Sequence, residues 1–579
     1  MSIVQLKEGN CQNCYKCIRN CPVKSIEFKN GNAAVIEKEC ILCGECIACC
    51  PQNTKYARND ISEVRALLSA GHPVAVSLAP SWKAYYENVG FDQMSGMLKK
   101  LGFSYVEETA IGASQVSREY DALLDEGRME NIIFTACSSV VMLVERHYPS
   151  LIRYLAPVSS PMMAHARLMR ECYGDIRVVF IGPCYSKKNE ASDPLAGGLV
   201  NNAITFEELD GWMEEQQFTF AEDGCTDADV KGVKDYKARV YPTACGILET
   251  LQSQDKLYRR IAIDGVEDCM ELFHAMETEG LTGLAVEANV CKGSCIGGPV
   301  MRKKGKHVFV ARQYIEDKKM LYDRHYAVTA DAKADHPRAF TDRRGKSAMP
   351  TEAQIRAILE KTGKYTPEQE LNCGSCGYNS CREKAIAVFQ GKADINMCLP
   401  FFRERAENIS NTILSNSPNA IFAIDSDLFV QDLNETAERM FGIKRQDYLN
   451  MPVSEFIADD LFDRASRSDV PVIEKVKLRE DFIVEETVTY IPQHKIYVAF
   501  IKNITADELS ELELAKMREH TIEVAQNVID KQMRVAQEIA SLLGETTAET
   551  KVALTTLKKS MEEVSEPLEP KRQNEEDSL

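Results

Sequence analysis

The first 57 residues repeat one spacing twice, Cys11-x-x-Cys14-x-x-Cys17-x-x-x-Cys21-Pro22 and Cys40-x-x-Cys43-x-x-Cys46-x-x-x-Cys50-Pro51, and nothing else in the chain narrows its fold so far. Thiols at these intervals, each run closed by a proline, are spaced to hold a pair of iron-sulfur cubanes. Zinc motifs seldom double this spacing with a trailing proline. The chain has 21 cysteines in 579 residues. Without a secretion signal they are not expected to form disulfides, because the cytosol keeps thiols reduced. Eight belong to these runs, four to three segments further on and four to a late motif. Cys49, Cys172, Cys225, Cys245 and Cys269 remain and are read as packing residues.

The doubled runs resemble a bacterial two-cluster ferredoxin. That resemblance implies a crossover of the fourth cysteine of each run. Cys11, Cys14, Cys17 and Cys50 would hold one 4Fe-4S cluster, and Cys40, Cys43, Cys46 and Cys21 the other. Such a pair passes single electrons between a buried site and the surface.

Residues 58–345 alternate short apolar runs, among them Pro73–Ala79, Asn131–Phe134 and Arg177–Ile181, with stretches of helical periodicity. The pattern predicts parallel strands with crossover helices, an α/β domain whose chemistry sits at strand ends. Cys137 and Cys184 directly follow two such runs. Downstream, Glu287-Ala-Asn-Val-Cys291-Lys-Gly-Ser-Cys295-Ile-Gly-Gly298 places two thiols four apart, on one face if the segment is helical, with glycines that permit close backbone approach. Taken alone, a cysteine at a strand end is more often a small buried hydrophobe.

Together the three segments resemble, in order and flanking context, the signature motifs of the FeFe hydrogenases. The resemblance implies an H-cluster: a cubane held by Cys137, Cys184, Cys291 and Cys295, with Cys295 bridging to a diiron subsite that carries carbonyl, cyanide and bridging dithiolate ligands. Pro80 and Ser81 match the family segment that contacts one cyanide, and Lys187 the lysine that contacts the other. The chain also departs from the family. Ala136 stands where catalytic members carry the proton-relay cysteine. Ala156 falls near the relay serine, and Glu119 and Asp121 align only loosely with its acids. Gly182 and Asn289 replace two methionines that flank the diiron subsite. Losing a positioned acid–base group costs about a hundred- to ten-thousand-fold in rate, so weak turnover with intact dihydrogen binding is expected.

Residues 346–403 carry Cys373-Gly-Ser-Cys376-Gly-Tyr-Asn-Ser-Cys381 and Cys398-Leu-Pro, which resemble a small Fe-S domain of redox proteins and imply a further 4Fe-4S cluster. A zinc ribbon would pair its second two cysteines more closely. Residues 404–506 lack cysteine. Their helix, strand, strand, helix order followed by two more strand-like runs resembles a PAS domain, an α+β fold, without a cysteine or histidine placed to anchor flavin or haem. Residues 507–563 turn to Glu, Lys, Ala, Leu and Gln, with Leu509, Leu512, Leu514, Met517, Val528, Val535, Ile539 and Leu542 at helical spacing. They predict an amphipathic, dimerising helix or coiled coil. His520 reads as a solvated helix residue, and 564–579 as a disordered tail.

With 87 acidic against 69 basic residues, net charge −18, neither nucleic acid nor an anionic membrane is an expected partner. No run of about 18 apolar residues occurs, and a cytoplasmic location is expected. Across essentially the whole length the chain resembles the sensory, group C (HydS-type) FeFe hydrogenases. That implies slow oxidation of dihydrogen, redox relay through four 4Fe-4S clusters to a PAS and helical output, a ferredoxin-like redox partner, a separate kinase or phosphatase, dedicated maturation proteins and a homodimer. The alternatives are a catalytic, ferredoxin-linked hydrogenase and an Fe-S signalling protein whose central site never receives the diiron unit.

Overall fold

The computed structural model describes residues 2–7, 10–29, 31–220, 236–305, 307–318, 338–345, 348–479, 481–543 and 547–562. Cys225 and the tail 564–579 lie outside the described residues, as does the side chain of Leu542. The chain divides into two compact units, Met1–Phe402 and Arg403–Leu579.

The first unit opens with four short strands, β1 (Val4–Leu6), β2 (Ile26–Lys29), β3 (Asn32–Val35) and β4 (Lys55–Ala57). β1 pairs antiparallel with β4, Val4 opposite Ala57, and β2 with β3, Ile26 opposite Val35. Two-stranded ribbons this short are marginal alone. Here they frame the one-turn helices Lys16–Arg19 and Glu45–Ala48 that carry Cys17 and Cys46.

Next come β5 (Val74–Leu78), β6 (Tyr105–Glu108), β7 (Ile132–Ile133), β8 (Arg177–Gly182), β9 (Asn202–Thr205), β10 (Arg259–Asp264) and β11 (Leu284–Asn289). They form two sheets, β6-β5-β8-β9 and β10-β11-β7, and every pairing is parallel. All five residues of β5 are buried, which is why the strand shows no polar-apolar alternation; its one polar residue, Ser77, is hydrogen-bonded internally to Thr109 at 2.8 Å. β7 is shorter than its apolar run, because only Ile132 and Ile133 pair with β11. Helices Ala110–Glu126 and Pro161–Tyr173 cross so closely that a Cβ at Gly112 would lie 2.2 Å from the Pro161 carbonyl oxygen.

Residues 338–345 are clamped by ion pairs, Arg338 to Glu190 at 2.6 Å and Arg343 to Asp193 at 2.7 Å. Helices Glu352–Glu360 and Cys381–Phe389 then form a small lobe. It is seated on the first 57 residues: Lys24 Nζ donates to the Gly377 carbonyl at 2.9 Å, the Phe28 amide to that of Lys392 at 2.8 Å, and Lys392 pairs with Glu39 at 2.7 Å. One contiguous apolar cluster runs through this unit, taking in Ile18, Val76, Val286 and Tyr378.

The second unit holds an antiparallel sheet of β12 (Ala420–Asp425), β13 (Val430–Leu433), β14 (Val472–Arg479), β15 (Phe482–Ile491) and β16 (Ile496–Asn503), in the order β13-β12-β16-β15-β14. Asn434 caps the helix Glu435–Phe441 by accepting from the Ala437 amide at 3.0 Å, and its amide group donates to Leu414 and Asn419 carbonyls. Phe422, Phe456, Phe462 and Val488 lie in its core. Helices Thr505–Leu543 and Thr547–Glu562 follow. On the first, Leu509, Leu512, Met517, Val528, Val535 and Ile539 are exposed. No described helix is long and apolar enough to cross a membrane.

Candidate iron-sulfur and dihydrogen site

In the first sheet, β5 leads to β6 on one side while β8 lies on the other, so the carboxyl ends of β5 and β8 flank the point where strand order reverses. Open parallel sheets place ligands there. Ala79, Pro80 and Ser81 follow β5, and Pro183 and Cys184 follow β8. In the second sheet Cys137 follows β7 and Cys291 follows the adjacent β11. The four sequence-predicted thiols, Cys137, Cys184, Cys291 and Cys295, meet around one small hollow of about 30 Å³, together with Ser294, Gly298 and Pro299.

The corner at Cys291 differs from the helical turn expected for it. Gly293 at φ 80° and Ser294 at φ 57° are left-handed, and only Ser294–Gly297 forms a tight 3-10 turn. The thiols share a face because the loop folds back on itself. A Cβ at Gly297 would lie 1.9 Å from the Lys292 carbonyl oxygen, so this glycine serves the loop's own closure, whereas Gly298 lies against Cys291 Sγ.

A larger cavity of about 100 Å³ adjoins the first. It is lined by Pro80, Ser81, Ala136, Lys187, Asn289 and Cys295, among others. Ser81 Oγ is buried without a hydrogen-bond partner among the described residues, an arrangement that suits an acceptor inside the cavity. Lys187 Nζ donates to the Ala136 carbonyl at 3.1 Å and pairs with Glu190 at 2.6 Å. Burial alone would raise Glu190, but Lys187 and then Arg338 hold it near 2. The ammonium is thereby oriented at the cavity wall.

Burial raises Cys137, Cys291 and Cys295 above ordinary thiols, and the neighbouring sulfurs add to the effect. Such a pocket disfavours bare thiolates, so the sulfurs would carry charge here only where a bound cation replaces the protons. The thiols line a hollow, and among the described residues no three His, Cys, Asp or Glu side chains close on a point fit for a single ion. Four thiols around one hollow suit a multi-atom cluster. The residues present therefore fit a cubane in the first hollow and a small acceptor-bearing group in the second.

At the other departures, Phe180 fills the space beside Gly182, where a Cβ would lie 2.6 Å from its ring. Asn289 Nδ2 approaches the Glu287 carboxyl at 3.4 Å. Glu287 is buried, which raises it to about 7, while it accepts from the Leu248 and Ile247 amides at 3.0 Å. The motif alone assigns Glu287 no role, and its place in an apolar strand is the signal that could have found it. Asp121 is turned away to accept from the Gln252 and Ser253 amides, so it caps a loop and is not part of a relay. Ala156 is buried in an apolar cluster.

Cys43 also lines the cubane hollow. A Cβ at the adjacent Gly44 would overlap the Tyr185 ring at 2.7 Å, so only glycine lets the loop carrying Cys43 approach that of Cys184. Of the other first-run and second-run thiols, Cys17, Cys21, Cys40 and Cys46 are buried, Cys11 and Cys50 partly so, and Cys14 is exposed. Cys373, Cys376, Cys381 and Cys398 line a further hollow of about 20 Å³ in the small lobe. Of the remainder, Cys269 is buried and Cys49 partly buried, but Cys172 and Cys245 are exposed, so these two are not packing residues. Cys245 sits in a loop at φ 65°.

Residues 72–299 match the family described as the C-terminal domain of the iron only hydrogenase large subunit. Residues 369–400 match an Fe-S cluster family and 410–481 the PAS fold. The NADP-reducing hydrogenase subunit HndD of Solidesulfovibrio fructosivorans is 24% identical over 363 residues, 50% of this chain and 61% of that protein. The cytosolic Fe-S cluster assembly factor NAR1 of Vanderwaltozyma polyspora is 27% identical over 193 residues, 31% of this chain and 36% of its own length. The chain thus spans less than two thirds of either relative. A variant of FeFe-hydrogenase HydA1 from Chlamydomonas reinhardtii superposes with a TM-score of 0.38 at 18% identity, covering 50% of this chain and 100% of that one. The chain therefore carries a domain like the C-terminal one of the FeFe-hydrogenase large subunit, an Fe-S domain and a PAS domain.

Proposed function

We propose that this protein is a sensory FeFe hydrogenase, which binds and slowly oxidises dihydrogen and passes its redox state through iron-sulfur clusters to a PAS and helical output. The observation that carries this reading is the pair of adjoining hollows, one ringed by Cys137, Cys184, Cys291 and Cys295, the other walled by Pro80, Ser81 and Lys187 with only a methyl group at Ala136. When bound, the diiron subsite supplies the metal pair on which dihydrogen is split. The chain's own residues would anchor it through Cys295, donate a hydrogen bond to its ligands from Lys187 and exclude water with Phe180, Met162 and Ile247. No thiol at position 136 is available to carry a proton away. Released electrons have a route through the Cys21, Cys40, Cys43 and Cys46 cluster, since Cys43 reaches the cubane hollow.

The proposal includes a cytoplasmic location, maturation by other proteins, a ferredoxin-like redox partner, a homodimer formed through the exposed apolar stripe of Thr505–Leu543, and a separate kinase or phosphatase as recipient of the signal. Infrared spectroscopy of matured protein, under dihydrogen and then inert gas, tests it. Bands of metal-bound carbonyl and cyanide that change with the gas are expected; bands unmoved by the gas would remove dihydrogen as the input.

A second reading, an Fe-S signalling protein without the diiron unit, is favoured by the likeness to NAR1, a cluster assembly factor, and by Ala136, Gly182 and Asn289 in the cavity wall. Absence of any carbonyl or cyanide band after maturation would establish it instead. Turnover matching that of a catalytic, ferredoxin-linked hydrogenase would point to the third reading.

A further inference from the structure

A buried row of polar side chains leads from the larger cavity toward the surface. Ser77 on β5 and Glu107 on β6 are register partners in the parallel sheet, and Thr109 lies two residues beyond Glu107. Helix Pro161–Tyr173 packs on β5 and brings His165 to them. Ser77 Oγ lies 2.8 Å from Thr109 Oγ1 and 2.8 Å from His165 Nδ1. His165 Nε2 lies 3.1 Å from Glu107 Oε2, and Tyr173 donates to Glu107 Oε1 at 2.5 Å. Ser77, Thr109, His165 and Glu107 are all buried, whereas Tyr173, at the end of the helix, is half-buried. At the inner end Thr109 lines the cavity, as Ala136 and Ser81 do.

What each group can give sets the direction of these bonds. Tyr173 gives its hydroxyl hydrogen to Glu107, and a carboxylate only accepts, so Nε2 is the ring nitrogen that carries hydrogen and Nδ1 of the neutral ring offers a lone pair. Ser77 has one hydrogen, which goes to Nδ1, and its oxygen takes that of Thr109. The Thr109 oxygen is left as an acceptor at the cavity end of the row. A second set of hydroxyls at this wall does not lead out. Tyr241 and Thr250 both bond to Ser117, whose hydroxyl lies against the Ala113 carbonyl, and Thr250 donates to the Ile247 carbonyl. Those ends are backbone carbonyls, which pass no proton on.

We propose that the row Thr109, Ser77, His165, Glu107 and Tyr173 is a proton conduit between the larger cavity and the surface, with His165 as its base. It rests on the proposed function in that splitting of dihydrogen delivers the protons, and it supplies an exit that needs no thiol at position 136. A proton taken up on Thr109 Oγ1 releases that hydroxyl's own hydrogen to Ser77, which releases its own to His165 Nδ1. The imidazolium so formed faces the Glu107 carboxylate and passes its Nε2 hydrogen there. The carboxyl turns to hand that hydrogen to the Tyr173 oxygen as Tyr173 gives its own to water. Rotation of the hydroxyls and tautomer exchange of the ring restore the first arrangement. One proton enters, one leaves and no electron moves.

The first measurement needs no dihydrogen. Full-length protein with its cubanes but without the diiron unit, carrying isotope-labelled histidine, is diluted into deuterated water and followed by NMR; the signal lost in His165→Gln marks the ring. Its Nε2 hydrogen is expected to exchange before the first spectrum although the ring is buried, while the amide of Val179 in the middle of β8 stays protected. A ring hydrogen that outlasts that amide overturns the proposal. The second measurement uses matured protein. Thr109→Val removes the hydroxyl and keeps the shape of the side chain. It is expected to lower exchange of deuterium gas with solvent hydrogen by about a hundredfold, with the carbonyl and cyanide bands still present and iron content unchanged, and Thr109→Ser is expected to restore the rate. A valine variant that keeps those bands and exchanges like wild type overturns the proposal; if it fails to hold its iron, Ser77→Ala takes its place with the same two outcomes. Matured wild type without such bands removes the proposed function instead, and the ring-hydrogen measurement then decides the conduit by itself.

Discussion

A methyl group at position 136 stands at the wall of the larger cavity, and the carbonyl of the same residue accepts from Lys187 at 3.1 Å. Cysteine there would add a thiol at the cavity wall without disturbing that bond, and on the proposed function it would stand ready to carry a proton. Ala136→Cys is therefore expected to raise dihydrogen turnover by about a hundredfold, the lower end of what a positioned acid–base group supplies. A gas-uptake assay that finds no increase would show that proton supply is not what limits the wild type. Glu486 is a different kind of residue-scale feature. It lies on the inner face of β15 between Val484 and Val488, opposite Ile501 on β16 and Glu474 on β14, with Asp460 nearby. Neither carboxyl oxygen has a hydrogen-bond partner among the described residues. Burial, then Glu474 and Asp460, raise it to about 7. Because the folded value exceeds the unfolded one, stability is complete below about pH 4, falls as pH rises toward 7 and is level above. Glu486→Gln should remove that fall and stabilise the second unit by about 2 kcal/mol at pH 8 while changing little at pH 4. Thermal melts at both values decide it.

At the scale of elements, the site depends on strand ends held by tight crossings. Helix Ala110–Glu126 meets helix Pro161–Tyr173 at Gly112, where the facing atoms are backbone and cannot move aside. Gly112→Ala is expected to cost about 2 kcal/mol or more, read as a lower melting temperature together with reduced iron content, since Thr109 and Pro161 at those helix starts line the larger cavity. An unchanged melting temperature would mean the crossing relaxes freely. Of the parallel strands, β5, β7 and β8 were legible as apolar runs, because strands buried on both faces show little alternation. The length of β7 was not, since pairing with β11 rather than local composition limits it to Ile132 and Ile133. The turn at Cys291 escaped the sequence for a related reason. A four-residue interval between thiols suits a helix, but left-handed Gly293 and Ser294 bring the sulfurs together by another path.

For the whole molecule, the first unit holds all four cysteine sets, with Cys43 at the hollow ringed by Cys137, Cys184, Cys291 and Cys295 and Cys376, like Cys21, in electrostatic reach of Lys24. The expected iron content of matured protein is about 18 atoms per chain, against about 16 if the diiron unit is not inserted. Colorimetric iron assay against quantified protein separates these, and a value of about 14 with the diiron unit, or about 12 without it, would mean that one cubane site is not filled.

The spacing of the cysteines by itself determined that this chain binds clusters, because ligand intervals are local and survive in one dimension. The antiparallel PAS-like region and the exposed apolar helix were likewise local patterns, set by periods of two and 3.6 residues. Only the tertiary structure decided that Ser81 Oγ is left unpaired at a cavity wall, that Glu287 and Glu486 are buried, and that Thr109, Ser77, His165 and Glu107 form one buried row of hydrogen bonds. Burial and the pairing of charges depend on which distant segments pack together, and no interval along the chain encodes that distance.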